Sequence, residues 1–173
     1  MRNALILMIL ILAPTVRAEV KFEVLHKIND AIWGMDFLPD GRMIFTAREG
    51  KMFLFDVKTK VATELKGLPK VYASGQGGLL DVRLHPEFSK NNYVYFTYAE
   101  PQGDLATTAL MRAELVGTEL KNSQKLFSGL KANDNDIHFG SRIEFGKDGH
   151  VYITMGDRGE RDTAQNGKTH PGS

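Results

Sequence analysis

His138 and Asp157 are the residues of this chain whose types and placement could do acid–base chemistry. Between them, Ile143 and Phe145, then Val151 and Ile153, alternate with polar residues around Lys147-Asp148-Gly149. That pattern predicts two short strands joined by a tight Asp-Gly turn. Antiparallel pairing brings whatever precedes the first strand beside whatever follows the second, so His138 and Asp157 come to the same end of the hairpin. A carboxylate beside an imidazole is the minimum for a tuned general base. Strand ends also collect polar residues because turns need them, so spacing alone fits a histidine without a chemical role equally well.

Other polar clusters carry less. Asn133-Asp134-Asn135-Asp136 alternates oxygen-bearing side chains as a calcium loop does, but lacks the following glycine and distant glutamate of an EF-hand, and reads as a polar loop. Gly75 to Gly78 is followed by Leu79-Leu80, which opens a strand, and by no Lys-Ser/Thr, so it is no phosphate loop. His85, before Pro86, reads as a packing residue at a turn. With 0 Cys, thiol chemistry and cysteine-ligated zinc are excluded. Lys+Arg 22 against Asp+Glu 21, with no basic run, gives no sign of a nucleic-acid groove or a charged membrane patch.

The elements that position the pair follow from the rest of the chain. Arg2, an apolar run over residues 4–14 and Val16-Arg17-Ala18 describe a secretory signal peptide over residues 1–18. The run is shorter than the ~20 apolar residues needed to span a bilayer. Residues 19–173 are then the mature chain, periplasmic or secreted, without a membrane segment after cleavage and long enough for one domain with a real core.

That domain repeats itself. Met35 to Thr46 lays down a strand, a Pro39-Asp40-Gly41 turn and a second strand. Residues 143–154 repeat it, with Asp148-Gly149 matching Asp40-Gly41 and Thr154 matching Thr46. Residues 82–97 form a third copy whose turn, Ser89-Lys90-Asn91-Asn92, is longer. Copies about 50 residues apart are the spacing of β-propeller blades, with room for four short strands each. Gly50 to Phe55 and Leu110 to Leu115 supply following strands, and no amphipathic helix is evident. Phe37, Ile44, Phe53, Leu84, Val94, Phe96, Phe145 and Ile153 are the alternating apolar positions expected to pack blade on blade in a closed ring, and to be exposed on the outer faces of the first and last blades where the ring is open. The fold class is all-β, a β-propeller of which about the first three blades are present. Because blades bury one another around a ring, the chain is expected to be the N-terminal part of a longer protein.

Trp33 to Gly41, Gly75-Gln76-Gly77-Gly78-Leu79-Leu80-Asp81-Val82, His85-Pro86-Glu87-Phe88, His138-Phe139-Gly140-Ser141-Arg142-Ile143 and Gly156-Asp157-Arg158-Gly159 occur in that order. Together they resemble the soluble quinoprotein glucose/sorbosone (aldose sugar) dehydrogenase family. The resemblance implies a six-bladed propeller that oxidises aldose sugars to lactones with pyrroloquinoline quinone (PQQ), Ca2+ and an external electron acceptor. It implies His138 as the general base, Asp157 as its orienter and Gln76 beside the cofactor. Some members carry an aspartate directly before the histidine; here Ile137 stands there and Asp136 lies one residue earlier, so the resemblance assigns Asp136 no role. The family's cofactor-gripping arginines and lysine and its calcium ligands belong to later blades. Two other readings of the architecture are a lactonase-like propeller hydrolase with a channel metal and a noncatalytic ligand-binding propeller.

Overall fold

The computed structural model describes residues 20–130 and 133–168; the leader expected over residues 1–18 lies outside them. The first unit is an antiparallel meander of β1 (Ile32–Phe37), β2 (Met43–Ala47), β3 (Lys51–Asp56) and β4 (Val61–Glu64), paired in that order. The second repeats it with β5 (Leu79–Leu84), β6 (Tyr93–Gln102), β7 (Leu105–Val116) and β8 (Glu119–Ser128). A third, two-stranded sheet pairs β9 (Ile143–Phe145) with β10 (Val151–Ile153). Both full units have the four-stranded form of a propeller blade. The longer turn expected before β6 is instead one turn of helix, α1 (Phe88–Asn91). It stops because Asn92 takes the left-handed conformation at φ 54° and returns its N–H to the Phe88 carbonyl. A single 3-10 turn, Arg161–Thr163, follows β10. Among the described residues no helix is long and apolar enough to cross a membrane.

The expected turn chemistry is present in matching detail. Asp40 Oδ1 accepts the Arg42 N–H and Asp148 Oδ1 the His150 N–H, while Gly41 and Gly149 sit at φ 89° and 81°. Only glycine reaches such angles without cost.

Strand periodicity explains the stacking. Along β6, Val94, Phe96 and Tyr98 join Ile44, Met52, Leu54, Leu79 and Val82 in the core between the first and second sheets. Tyr95 faces the other way, onto Ile143, Phe145, Val151 and Ile153 of the third. The middle sheet is thus buried on both faces, and each fully buried Phe or Ile contributes about 2–3 kcal/mol. Phe37, on the first sheet, is 60% exposed. The neighbouring positions Gly34 and Asp36 are the ones turned toward the second sheet: a Cβ at Gly34 would lie 2.8 Å from the Asp81 Cα, and Asp36 accepts the Leu84 N–H. Phe37 therefore points away from it.

The repeated threonines tie the sheets together. Thr46 Oγ1, fully buried, accepts the Gly34 N–H and donates to the Leu80 carbonyl of the next sheet. Thr97 Oγ1 does the same one unit on, accepting from Asp81 N–H and donating to the Ser141 carbonyl at 2.8 Å. Thr154 Oγ1 accepts the Arg142 N–H.

Candidate active site

The β9–β10 register pairs Ile143 with Ile153, and the pairing runs on through Thr154 N–H to the Arg142 carbonyl at 3.0 Å. Beyond it the two chains stay in contact because both lack side chains where they cross. A Cβ on Gly156 would lie 2.1 Å from the His138 carbonyl oxygen, and one on Gly140 would lie 2.5 Å from that of Thr154. The crossing brings His138 Nδ1 to 2.7 Å from Asp157 Oδ1, as the hairpin predicted. The imidazole is about half exposed while the carboxylate is largely covered. The bond to His138 holds the Asp157 carboxyl below its ordinary value, with the Gly159 N–H and the charge of Arg161 adding to it. An ionised carboxylate only accepts, so Nδ1 carries the proton and Nε2 is the free basic nitrogen.

Gln76 joins the pair from the loop before β5. Its Oε1 accepts the His138 N–H at 2.8 Å, and its own N–H donates to the Asp136 carbonyl at 2.7 Å. With Oε1 occupied, its NH2 group is left to donate elsewhere. The loop is held by Ser74 Oγ, which donates to Asp136 Oδ2 at 2.8 Å, and by the Arg48 guanidinium on the Gly75 carbonyl. Gly75, at φ 51°, lies so close to Asp136 that a Cβ would meet its carbonyl oxygen at 2.4 Å. The structure thus places all three sequence-predicted site residues together and gives Asp136 a task the sequence did not: it anchors the loop that presents Gln76.

Residues 133–136 run as a loop bridged to β7 through Asn133 and Ala106. The Asn133 and Asn135 amides both donate to the Arg158 carbonyl. Among the described residues no group of three or more His, Cys, Asp or Glu is arranged to hold a metal ion. His85 packs against Tyr93, Tyr95 and Phe145, as expected. Arg158 was missed: it is fully buried, its guanidinium stacked 3.6 Å from the Phe139 ring centre. An arginine between Asp157 and Gly159 carries no signal of burial in sequence.

A cavity of about 300 Å³ opens at Gly140, two residues from His138, and is lined by Trp33, Leu80, Asp81, Gly140, Ser141, Arg142 and Thr154. His138, Asp157 and Gln76 do not line it. At its wall the nearly buried Asp81 carboxylate takes the Ile143 N–H at 2.8 Å and pairs with Arg142, whose guanidinium remains largely exposed.

Stacked four-stranded meanders, with a carboxylate-bound imidazole and a glutamine at their loop ends, define an all-β protein. The chain belongs to the glucose/sorbosone dehydrogenase family, whose model matches residues 29–173. Aldose sugar dehydrogenase YliI of Escherichia coli is 34% identical over 152 residues, covering 86% of this chain and 41% of that protein. Quinoprotein glucose dehydrogenase B of Acinetobacter calcoaceticus is 27% identical over 151 residues, covering 81% and 30%. The apo crystal structure of the Escherichia coli aldose sugar dehydrogenase superposes with a TM-score of 0.77 at 33% identity, over 83% of this chain and 43% of that one. The PQQ-bound aldose sugar dehydrogenase of Streptomyces coelicolor gives 0.74 at 28% identity, over 85% and 44%. The chain therefore spans roughly two fifths or less of the length of the curated relatives named.

Proposed function

We propose that this chain carries the proton-abstracting part of a PQQ-dependent aldose sugar dehydrogenase, a six-bladed propeller in its full form, which oxidises an aldose to its lactone and passes the electrons to an external acceptor. The observation that carries the proposal is the convergence of His138, Asp157 and Gln76 from two separate stretches of the chain. The export-type leader over residues 1–18 supports a periplasmic or secreted location.

The residues present fit one side of such a cofactor. A planar quinone bearing carbonyls and carboxylates needs hydrogen-bond donors and cations. Here the free NH2 of Gln76 and the exposed guanidinium of Arg142 are of that kind. The quinone, when bound, supplies the hydride acceptor. His138 Nε2 takes the proton from the anomeric hydroxyl, and the growing oxyanion character expels the C1 hydride. Asp157 fixes the Nδ1–H tautomer and stabilises the imidazolium that forms, as a carboxylate behind a histidine base does. Gln76 holds the backbone of His138 and turns its NH2 group outward as a donor to bound oxygen. Calcium is implied by the family resemblance alone.

The test is to reconstitute the full-length protein with PQQ and follow sugar-dependent reduction of an artificial electron acceptor. Sugar oxidation that needs both the quinone and His138 is the expected result. Lactone hydrolysis without quinone, or ligand binding without either activity, would replace the proposal.

A further inference from the structure

We infer that Arg158 is a positioning residue for the base: its buried guanidinium grips the chain on both sides of His138 and so holds the imidazole against Asp157. The inference rests on the reading of His138 as the base.

The guanidinium is wholly buried and meets no carboxylate. Burying a cation is costly unless it is hydrogen-bonded, and here each of its three nitrogens donates to a backbone carbonyl. Nε donates to Ile137 at 2.9 Å, Nη1 to Ala106 at 2.7 Å and Nη2 to Asn135. The Phe139 ring covers its face at 3.6 Å. Ile137 and Phe139 are the two neighbours of His138, so one rigid plane sets the chain before and after the imidazole. The grip is returned, since the Asn133 and Asn135 amides hold the Arg158 carbonyl at 2.9 Å each. Thr108 Oγ1 on β7 fixes the Phe139 carbonyl at 2.7 Å, which anchors the arrangement to the second sheet.

Chain geometry makes this clamp necessary. His138 and Arg158 both sit at φ 54°, a left-handed conformation that non-glycine residues adopt only when their surroundings impose it. Asp157 is the residue directly before Arg158, so a shift of the arginine moves the carboxylate, while a shift of residues 137–139 moves the imidazole. Burial pushes the Arg158 pKa down, against the charge of Asp136, yet an arginine stays protonated at neutral pH. A lysine has the charge but only one nitrogen, which cannot reach three divergent carbonyls. A clamp of this kind predicts intolerance of lysine, whereas a mere requirement for buried charge does not.

The experiment follows the Asp157 carboxyl by carbon NMR through acid pH in the full-length protein, for the parent, Arg158→Lys and Asn135→Ala. The charged groups bearing on Asp157 are His138 and Arg161, and all three proteins keep them. Positioning predicts that the Asp157 midpoint rises toward the ordinary carboxylate value in Arg158→Lys and by less in Asn135→Ala, with the circular dichroism spectrum retained. Turnover of sugar should fall at least about 10-fold in Arg158→Lys while KM changes by less than about threefold. A folded Arg158→Lys whose Asp157 midpoint matches the parent would reduce Arg158 to a core residue and overturn the inference. Should that variant not fold, Asn135→Ala decides alone, and an unshifted midpoint there overturns it. The NMR arm needs neither quinone nor sugar. A raised midpoint in a protein that oxidises no sugar would keep the clamp and sink the dehydrogenase reading, so the two failures are distinguishable.

Discussion

Thr97→Val replaces a buried hydroxyl by a methyl of nearly the same shape, and the structure sets its cost. Thr97 Oγ1 accepts the Asp81 N–H at 3.1 Å and the Ser141 hydroxyl at 3.0 Å, and donates to the Ser141 carbonyl at 2.8 Å. Thr97 and Asp81 are buried, as is Ser141. Valine leaves the Asp81 N–H and the Ser141 carbonyl without these partners, and each orphaned buried group costs about 1–3 kcal/mol. Relaxation of the Ser141 side recovers part of it, so the expected loss is about 2–4 kcal/mol, a large share of the 5–15 kcal/mol typical of a folded domain. Thr97→Ser keeps every hydrogen bond and loses one buried methyl, for about 1 kcal/mol. The assay is urea unfolding of both variants and the parent, with the transition midpoint read at unchanged slope. Because Ser141 leads into Arg142 beside the cavity, the valine variant should also loosen the segment that follows His138. A valine variant within about 0.5 kcal/mol of the parent, or more stable than the serine variant, would refute the idea that this hydroxyl ties the second sheet to the third.

Other consequences are open to measurement. His138→Ala should lower turnover of the reconstituted full-length protein by about 100-fold or more with the fold intact; unchanged turnover at saturating sugar removes His138 from the chemistry. The Asp157 carboxyl is depressed in the folded state, so the stability it contributes is complete above its unfolded value of about 3.9 and is lost as pH falls through the lower folded value. Asp157→Asn should therefore be less stable than the parent at pH 7, and the two should converge in acid; a difference that does not change with pH would show that Asp157 gains nothing from His138. Gly156→Ala places a methyl 2.1 Å from the His138 carbonyl oxygen, an overpacking that should cost about 1–3 kcal/mol and impair the base. Full activity and stability in that variant would mean that the two segments do not cross this closely.

The sequence was enough for whatever depends on neighbours along the chain. Strand period and turn chemistry are local, so the hairpin that joins His138 to Asp157 could be read directly, as could the repeated Asp-Gly turns and the threonines at 46, 97 and 154. The outer strands could not. Val61–Glu64 is mostly exposed, and Glu119–Ser128 alternates little, because an outer strand of a four-stranded unit has few buried positions to leave a pattern. Nor could the contacts between units. Gln76 and Asp136 lie 60 residues apart in sequence and meet only through the stacking of the second and third sheets. Only that stacking buries Arg158 and gives the Thr46 and Thr97 hydroxyls their second partners. Local alternation specifies which face of a strand is apolar, but the angle and register at which two such faces meet are set by the whole packed core. The residues whose roles depend on that meeting therefore needed the tertiary structure to be understood.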